Sequence, residues 1–266
     1  FELSVTDAAR GTRVELRGRS TLLPAKLHCY ELDLTGYQLD HLPEDLHVES
    51  RLILDNSPRL CALPSNFKVG SLSLRHCTAL ERLPEGIECW FLDLTGCEQF
   101  HRWPDHAQIS SGSVIARDCR RMAGLPAWLR RLANLDLAGC RQIDSLPEDL
   151  ILTGWLDFAG TAIKKLPASM TNTRLRWRGV RIDQRLAFEP GSLSAAEILT
   201  ERNAELRRVM IERMGAMEFA KQVNVQVLDE NCCAYRRTSS PAIRQQLGSR
   251  DSTIPAIIIP ITKPNP

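Results

Sequence analysis

The chain has 266 residues, 43% hydrophobic and 25% charged, and its 34 Lys and Arg nearly balance its 32 Asp and Glu, for a formal charge of +2. That balance excludes a polybasic or polyacidic tail protein, and the length allows one or two domains. Aromatic residues make up only 6%, so a core must be built mainly from aliphatic side chains; the longest apolar run, residues 254–261, is far short of a membrane span and holds Pro255 and Pro260.

A period governs most of the chain. Leu-Pro, once Trp-Pro, recurs at Leu23-Pro24, Leu42-Pro43, Leu63-Pro64, Leu83-Pro84, Trp103-Pro104, Leu125-Pro126, Leu146-Pro147 and Leu166-Pro167, at steps of 19 to 22 residues. Ten or eleven residues before most of these comes an alternating apolar pair: Leu32/Leu34, Leu52/Leu54, Leu72/Leu74, Leu92/Leu94, Val114/Ala116, Leu135/Leu137 and Leu156/Phe158. Val14/Leu16 precedes the series and Leu175/Trp177 follows it. Spacing of two puts both side chains on one face of a short strand, and parallel stacking of such strands makes a continuous buried ribbon.

Two further columns repeat with the strands. Tyr37, Ser57, Cys77, Cys97, Cys119, Cys140 and Thr161 stand three residues after each pair, where the chain leaves the strand, and can satisfy loop backbone groups there. Cys29, Val69, Cys89 and Leu132 form an inward column three residues before it. Six of the nine cysteines are thereby expected to be core residues. Gly36, Gly96, Gly139 and Gly160 mark the strand exits. An odd cysteine count with no C-x-x-C pair argues against a disulfide framework and for a reduced, cytoplasmic setting. The chain opens on Phe1 rather than Met, so an upstream segment is expected to be missing.

The motif L-x-L-x-x-C/N-x-x-L-x-x-L-P resembles the short, Pro-containing bacterial form of the leucine-rich repeat over about residues 12–180. Ser145-Leu146-Pro147-Glu148-Asp149-Leu150 and Arg82-Leu83-Pro84-Glu85-Gly86-Ile87 are similar to repeats of bacterial secreted ubiquitin ligases. The resemblance implies a β-rich solenoid, a horseshoe with parallel strands on its concave face and little helix on the convex side. The expected division is a lead-in over 1–13, the solenoid over 14–182, a small α+β capping unit over 183–236 and a tail over 237–266.

Beyond residue 180 the period stops. Residues 192–223 read as helix, with Ser194-Ala195-Ala196-Glu197 as a capping box and Ile198, Leu199, Leu206, Val209, Met210 and Met214 near one face; Gly215 interrupts it, and a second helix covers 216–223. Residues 202–213 resemble a C-terminal segment of uncharacterised bacterial repeat proteins, a likeness that names no activity. Residues 225–228 and 257–259 read as strands, the latter as part of the capping unit or a partner-docking strand.

No catalytic motif is present, and no cofactor is expected. The six histidines, His28, His41, His47, His76, His101 and His106, read as lying at different repeat phases, so no metal site is expected. Cys232-Cys233 lacks the Cys-x-Asp context of the ligase nucleophile. Function is therefore sought on the concave face. Its middle column is Glu15, Asp33, Ile53, Ser73, Asp93, Ile115, Asp136, Asp157 and Arg176, taken to point outward, with Arg174, Arg176, Arg178 and Arg181 clustering at the C-terminal end. Phe91 and Trp155 project from the same face as candidate hot spots. Candidate partner-binding residues are thus Asp33, Phe91, Asp93, Asp136, Trp155, Asp157, Arg174, Arg176 and Arg178. Three functions fit: a non-enzymatic scaffold for an unidentified protein partner, the substrate-reading half of a bacterial effector or ubiquitin ligase, or a nucleic-acid-associated subunit using residues 174–181. The aspartate column opposes the last, since it would repel phosphates.

Overall fold

The computed structural model describes residues 2–8, 11–17, 23 and 26–223, with backbone only for the first two segments. By its contacts the chain divides into two compact units, residues 1–181 and residues from 182 onward.

The first unit is a parallel-strand β-solenoid. Its strands are β1 (Glu2–Ala8), β2 (Gly11–Arg17), β3 (His28–Asp33), β4 (His47–Ile53), β5 (Ser71–Ser73), β6 (Ile87–Asp93), β7 (Ala107–Ile115), β8 (Arg131–Leu132), β9 (Asn134–Asp136), β10 (Ile151–Leu152), β11 (Trp155–Asp157), β12 (Arg174–Trp177) and β13 (Val180–Ile182). The main sheet runs β1-β2-β3-β4-β5-β6-β7-β9-β11-β12-β13, and β8 and β10 pair separately. β1 is antiparallel to β2, after which each step to β12 is parallel. The register is the one the period demands: Val14, Leu32, Leu52, Leu72, Leu92, Val114, Leu135, Leu156 and Leu175 stand side by side.

From Leu32 onward that column is buried, as is its companion Leu34, Leu54, Leu74, Leu94, Ala116, Leu137, Phe158 and Trp177. Each large aliphatic side chain in it contributes about 1.5–3 kcal/mol by leaving water. The exit column is buried too from Tyr37 to Cys140, with Thr161 half-buried, and its cysteines form a ladder. Each thiol donates to a carbonyl of the preceding repeat, Cys77 to Leu54 at 3.2 Å, Cys97 to Leu74 at 3.0 Å, Cys119 to Leu94 at 3.1 Å and Cys140 to Ala116 at 2.8 Å. Cys29 and Cys89 are buried in the other inward column, so all six cysteines assigned to the core lie there. Strand exit requires a left-handed residue, taken by Gly36, Gly96, Gly139 and Gly160 and elsewhere by Asn56, His76 and Asp118.

The Leu-Pro segments form turns, and between residues 26 and 167 no helix occurs. Proline withholds a backbone donor and, at 19 to 22 residues per turn, little chain remains for one. Where Trp103 replaces the leucine, its ring packs edge-on against Phe100 and Trp128, and its indole N–H donates to the Gly124 carbonyl at 3.0 Å.

The second unit holds helices α1 (Gln184–Phe188), α2 (Ala195–Thr200), α3 (Ala204–Met214) and α4 (Ala216–Gln222). Three local features depart from the sequence reading. α1 is added, capped by Asp183, whose carboxylate accepts from the Leu186 amide at 2.7 Å. Ser194 caps α2 as expected, but the Glu197 carboxylate pairs with the Arg185 guanidinium at 2.8 Å. The helical stretch also breaks before α3, because Asn203 accepts from the amides of Glu205 and Leu206 and starts a new helix. Ile198, Val209 and Met210 are buried, whereas Leu199 lies largely in solvent. Arg213 reaches into this unit and donates to the carbonyls of Leu186 and Ala187; burial pulls its pKa down. The strands expected at 225–228 and 257–259, and Cys232-Cys233, lie outside the described residues.

Candidate interaction surface

The concave face is built by the residues that alternate with the buried leucines, and its middle column is less open than the alternation implies. Asp93, Asp136 and Asp157 are about 1% exposed or less, which corrects the expectation that they are free, outward charges. The physical reason is that each carboxylate serves the backbone at the strand exit. Asp93 accepts from the Thr95 amide at 2.9 Å and from its hydroxyl at 2.6 Å, and Asp33 makes the same pair of contacts with Thr35. Asp136 accepts from the Ala138 amide, and Asp157 from those of Ala159, Arg178 and Gly179.

The second oxygens are covered by arginines reaching sideways from the preceding repeat. Arg75 Nε lies 2.7 Å from Asp93, and Arg117 Nε 2.6 Å from Asp136, with the far end of the Arg117 guanidinium 3.8 Å from Asp157. These arginines occupy the position after the second buried residue of the pair, where Thr35, Thr95, Ala138 and Ala159 stand in other repeats. Burial and the Asp157 charge hold the Asp136 carboxyl above its usual value, against the pull of Arg117. The Arg117 guanidinium is in turn shifted upward, burial opposing its two carboxylate neighbours.

Both candidate aromatics are half-buried on this face. Trp155 is covered by its neighbour in the next strand, the Arg176 guanidinium lying 4.4 Å from its ring centre, a cation–π contact. Phe91 pairs with Trp90 at 6.2 Å. Arg174, Arg178 and Arg181 are exposed, and Arg176 is half-buried. The structure thus gathers Asp136, Trp155, Asp157, Arg176 and Arg178 into one region of neighbouring strands, while Asp33 lies several strands away.

The sequence reading missed Trp90, which is 58% exposed. Its signal was available: Cys89 points inward, so the next residue must point out. The adjoining repeats carry no side chain beside it. A Cβ on Gly70 would sit 2.9 Å from the Trp90 indole nitrogen, and one on Gly112 would strike the Trp90 carbonyl oxygen. Trp90 lines an open groove of about 450 Å³ with His47, Val48, Glu49, Lys68, Val69, Glu88, Cys89 and Gln108.

The histidine expectation also needs correction. His28 and His47 are register partners in β3 and β4, and with Glu49 their ligand atoms lie within 4.8 Å of one another. The two strands come one repeat apart, so the 19-residue spacing places both imidazoles at one phase.

Comparison with known proteins found no matching family model and no matching solved structure. One relative in Arabidopsis thaliana, described as a "Probable disease resistance protein", is 31% identical over 164 residues. The match covers 54% of this chain and 9% of that protein's length. Together with the β-solenoid it fits a repeat protein whose fold suits protein interaction. Among the described residues no helix is long and apolar enough to cross a membrane.

Proposed function

We propose that this protein is a non-enzymatic recognition scaffold that binds a protein partner on the concave face of its repeat unit. The observation that carries the reading is the lateral lattice of Arg75–Asp93 and Arg117–Asp136–Asp157, on the same run of strands as half-buried Phe91 and Trp155. It ties neighbouring strands of that surface together, and with Trp155 already packed against Arg176 and Phe91 against Trp90, little ordering entropy is lost on binding. The buried aspartates position the surface, and contact falls to the aromatics, Arg174, Arg176, Arg178 and the half-exposed Asp33.

The plant relative, a much longer protein, favours an interaction role without naming a partner for this chain. A place as the substrate-reading half of a bacterial effector or ubiquitin ligase rests on repeat sequence alone. A nucleic-acid partner would have to use the exposed Arg174, Arg178 and Arg181, whose neighbour Asp157 is buried and taken up by the backbone amides of Arg178 and Gly179.

The test is affinity capture with the full chain, followed by binding of the recovered partner to variants. Phe91→Ala and Trp155→Ala should each weaken binding by about 2 kcal/mol. Glu148→Ala, on an exposed turn after Leu146-Pro147, should leave it unchanged. A partner that ignores both aromatics but responds to Glu148 would place recognition on the other face. Capture of RNA or DNA with a steep salt dependence would replace the protein-partner reading.

A further inference from the structure

We propose that His28, His47 and Glu49 form a binding site for a divalent transition metal of the zinc class, at the edge of the groove lined by Trp90. The two histidines stand opposite each other on adjacent parallel strands, His28 paired with His47 and the inward Cys29 with Val48. Their rings are 4.5 Å apart and nearly perpendicular. Glu49 Oε1 lies 3.0 Å from His28 Nε2, and all three ligand atoms fall within 4.8 Å.

The donor set is the argument for the metal class. Two imidazoles and one carboxylate suit Zn²⁺, Co²⁺, Ni²⁺ or Cu²⁺ rather than Mg²⁺ or Ca²⁺, which take oxygen donors. With bonds of about 2.0–2.2 Å, tetrahedral donors stand about 3.3–3.6 Å apart. Closing the observed spread to that distance calls for rotation of the side chains, all three of which are exposed, from origins that the backbone ladder fixes. Three protein ligands would leave a fourth position for water, and His47 and Glu49 also line the groove. The register makes the pair specific: of the described histidines, these two are the ones that face each other across a strand pair.

The test is titration of the full chain with Zn²⁺ and Co²⁺ after its accessible thiols have been alkylated, so that cysteine cannot supply the ligands. Calorimetry should find one equivalent bound. His28→Asn and His47→Asn should each weaken binding at least about tenfold, and the double variant should abolish it. Glu49→Gln should weaken it also, and His106→Asn should not. The Co²⁺ complex should show ligand-field absorption without thiolate charge transfer. Far-UV circular dichroism of the variants should match the parent, since the altered side chains are exposed. Absence of stoichiometric binding by the parent chain, or variants of His28 and His47 that bind like it, would overturn the proposal.

Discussion

Arg117 is the side chain whose removal tests the architecture of the concave face most directly. It is 41% exposed, yet its guanidinium meets Asp136 at 2.6 Å and approaches Asp157, two carboxylates with almost no solvent contact. Arg117→Ala leaves both anions without their cation. Asp157 keeps three backbone donors, but Asp136 keeps only the Ala138 amide among its hydrogen bonds. Removing one partner of a fully buried pair costs about 3–5 kcal/mol, and a charge-assisted hydrogen bond is worth about 1.5–3 kcal/mol. Because Arg117 is partly in water, solvent will rehydrate the site in part, and the expected cost at neutral pH is about 2–3 kcal/mol. The pH dependence follows from the sign of the Asp136 shift. Its folded carboxyl is raised above the ordinary 3.8, so its contribution to stability is complete below that value and is lost as pH rises through the folded pKa. Arg117 supplies the opposing pull, so its removal raises the folded pKa further and deepens the loss at neutral pH. Urea denaturation of both proteins should show the gap widest near neutrality and narrowing as pH falls toward 4. Asp136→Asn in the Arg117→Ala background should restore much of the deficit, since the amide oxygen still accepts from Ala138. A deficit that is constant with pH and indifferent to Asp136→Asn would refute the account.

Leu94→Ala and Leu137→Ala should each cost about 2–5 kcal/mol in chemical denaturation, and Thr95→Ala about 1 kcal/mol through loss of its hydroxyl bond to Asp93; equal costs would contradict the inward phase of the leucines. Alkylation of the folded chain should label Cys61 quickly and spare Cys77, Cys89, Cys97, Cys119 and Cys140. Burial pushes the thiols of Cys77 and Cys89 up to about 12 and raises that of Cys97, while Cys119 is raised first by its hydrogen bond with Cys140 and then by burial. Mass spectrometry showing labelling of those five at the rate of Cys61 would overturn their assignment. Gly112→Ala should destabilise the chain far more than Gly124→Ala, because its Cβ would run into the Trp90 carbonyl oxygen while nothing meets a Cβ at 124. Comparable melting temperatures for the two variants would show that the corner beside Trp90 is not packed as described.

The repeat, the strand register and the inward columns were legible in the sequence because stacking forces one physical demand on every turn. A leucine at a given phase must meet its counterparts one repeat away, so the pattern in one dimension is the contact map in three. The cysteine column was legible on the same ground. The state of the concave carboxylates was not. Strand alternation says on which face Asp93, Asp136 and Asp157 lie, but their burial depends on arginines of the preceding repeat and on backbone amides at the exit turn, and alternation carries no information about either. In the helical unit, local preference was right at Ser194 and incomplete at Glu197, whose carboxylate is drawn to Arg185, twelve residues earlier. His28, His47 and Glu49 mark the same boundary. A 19-residue spacing contains the possibility of an aligned pair, but only the actual pairing of β3 with β4 sets the two rings opposite each other, with Glu49 two residues beyond His47 on the same strand. Sequence by itself determined what every repeat must bury, because burial recurs with the period; tertiary structure decided which polar groups meet, because those contacts run between repeats and follow no period.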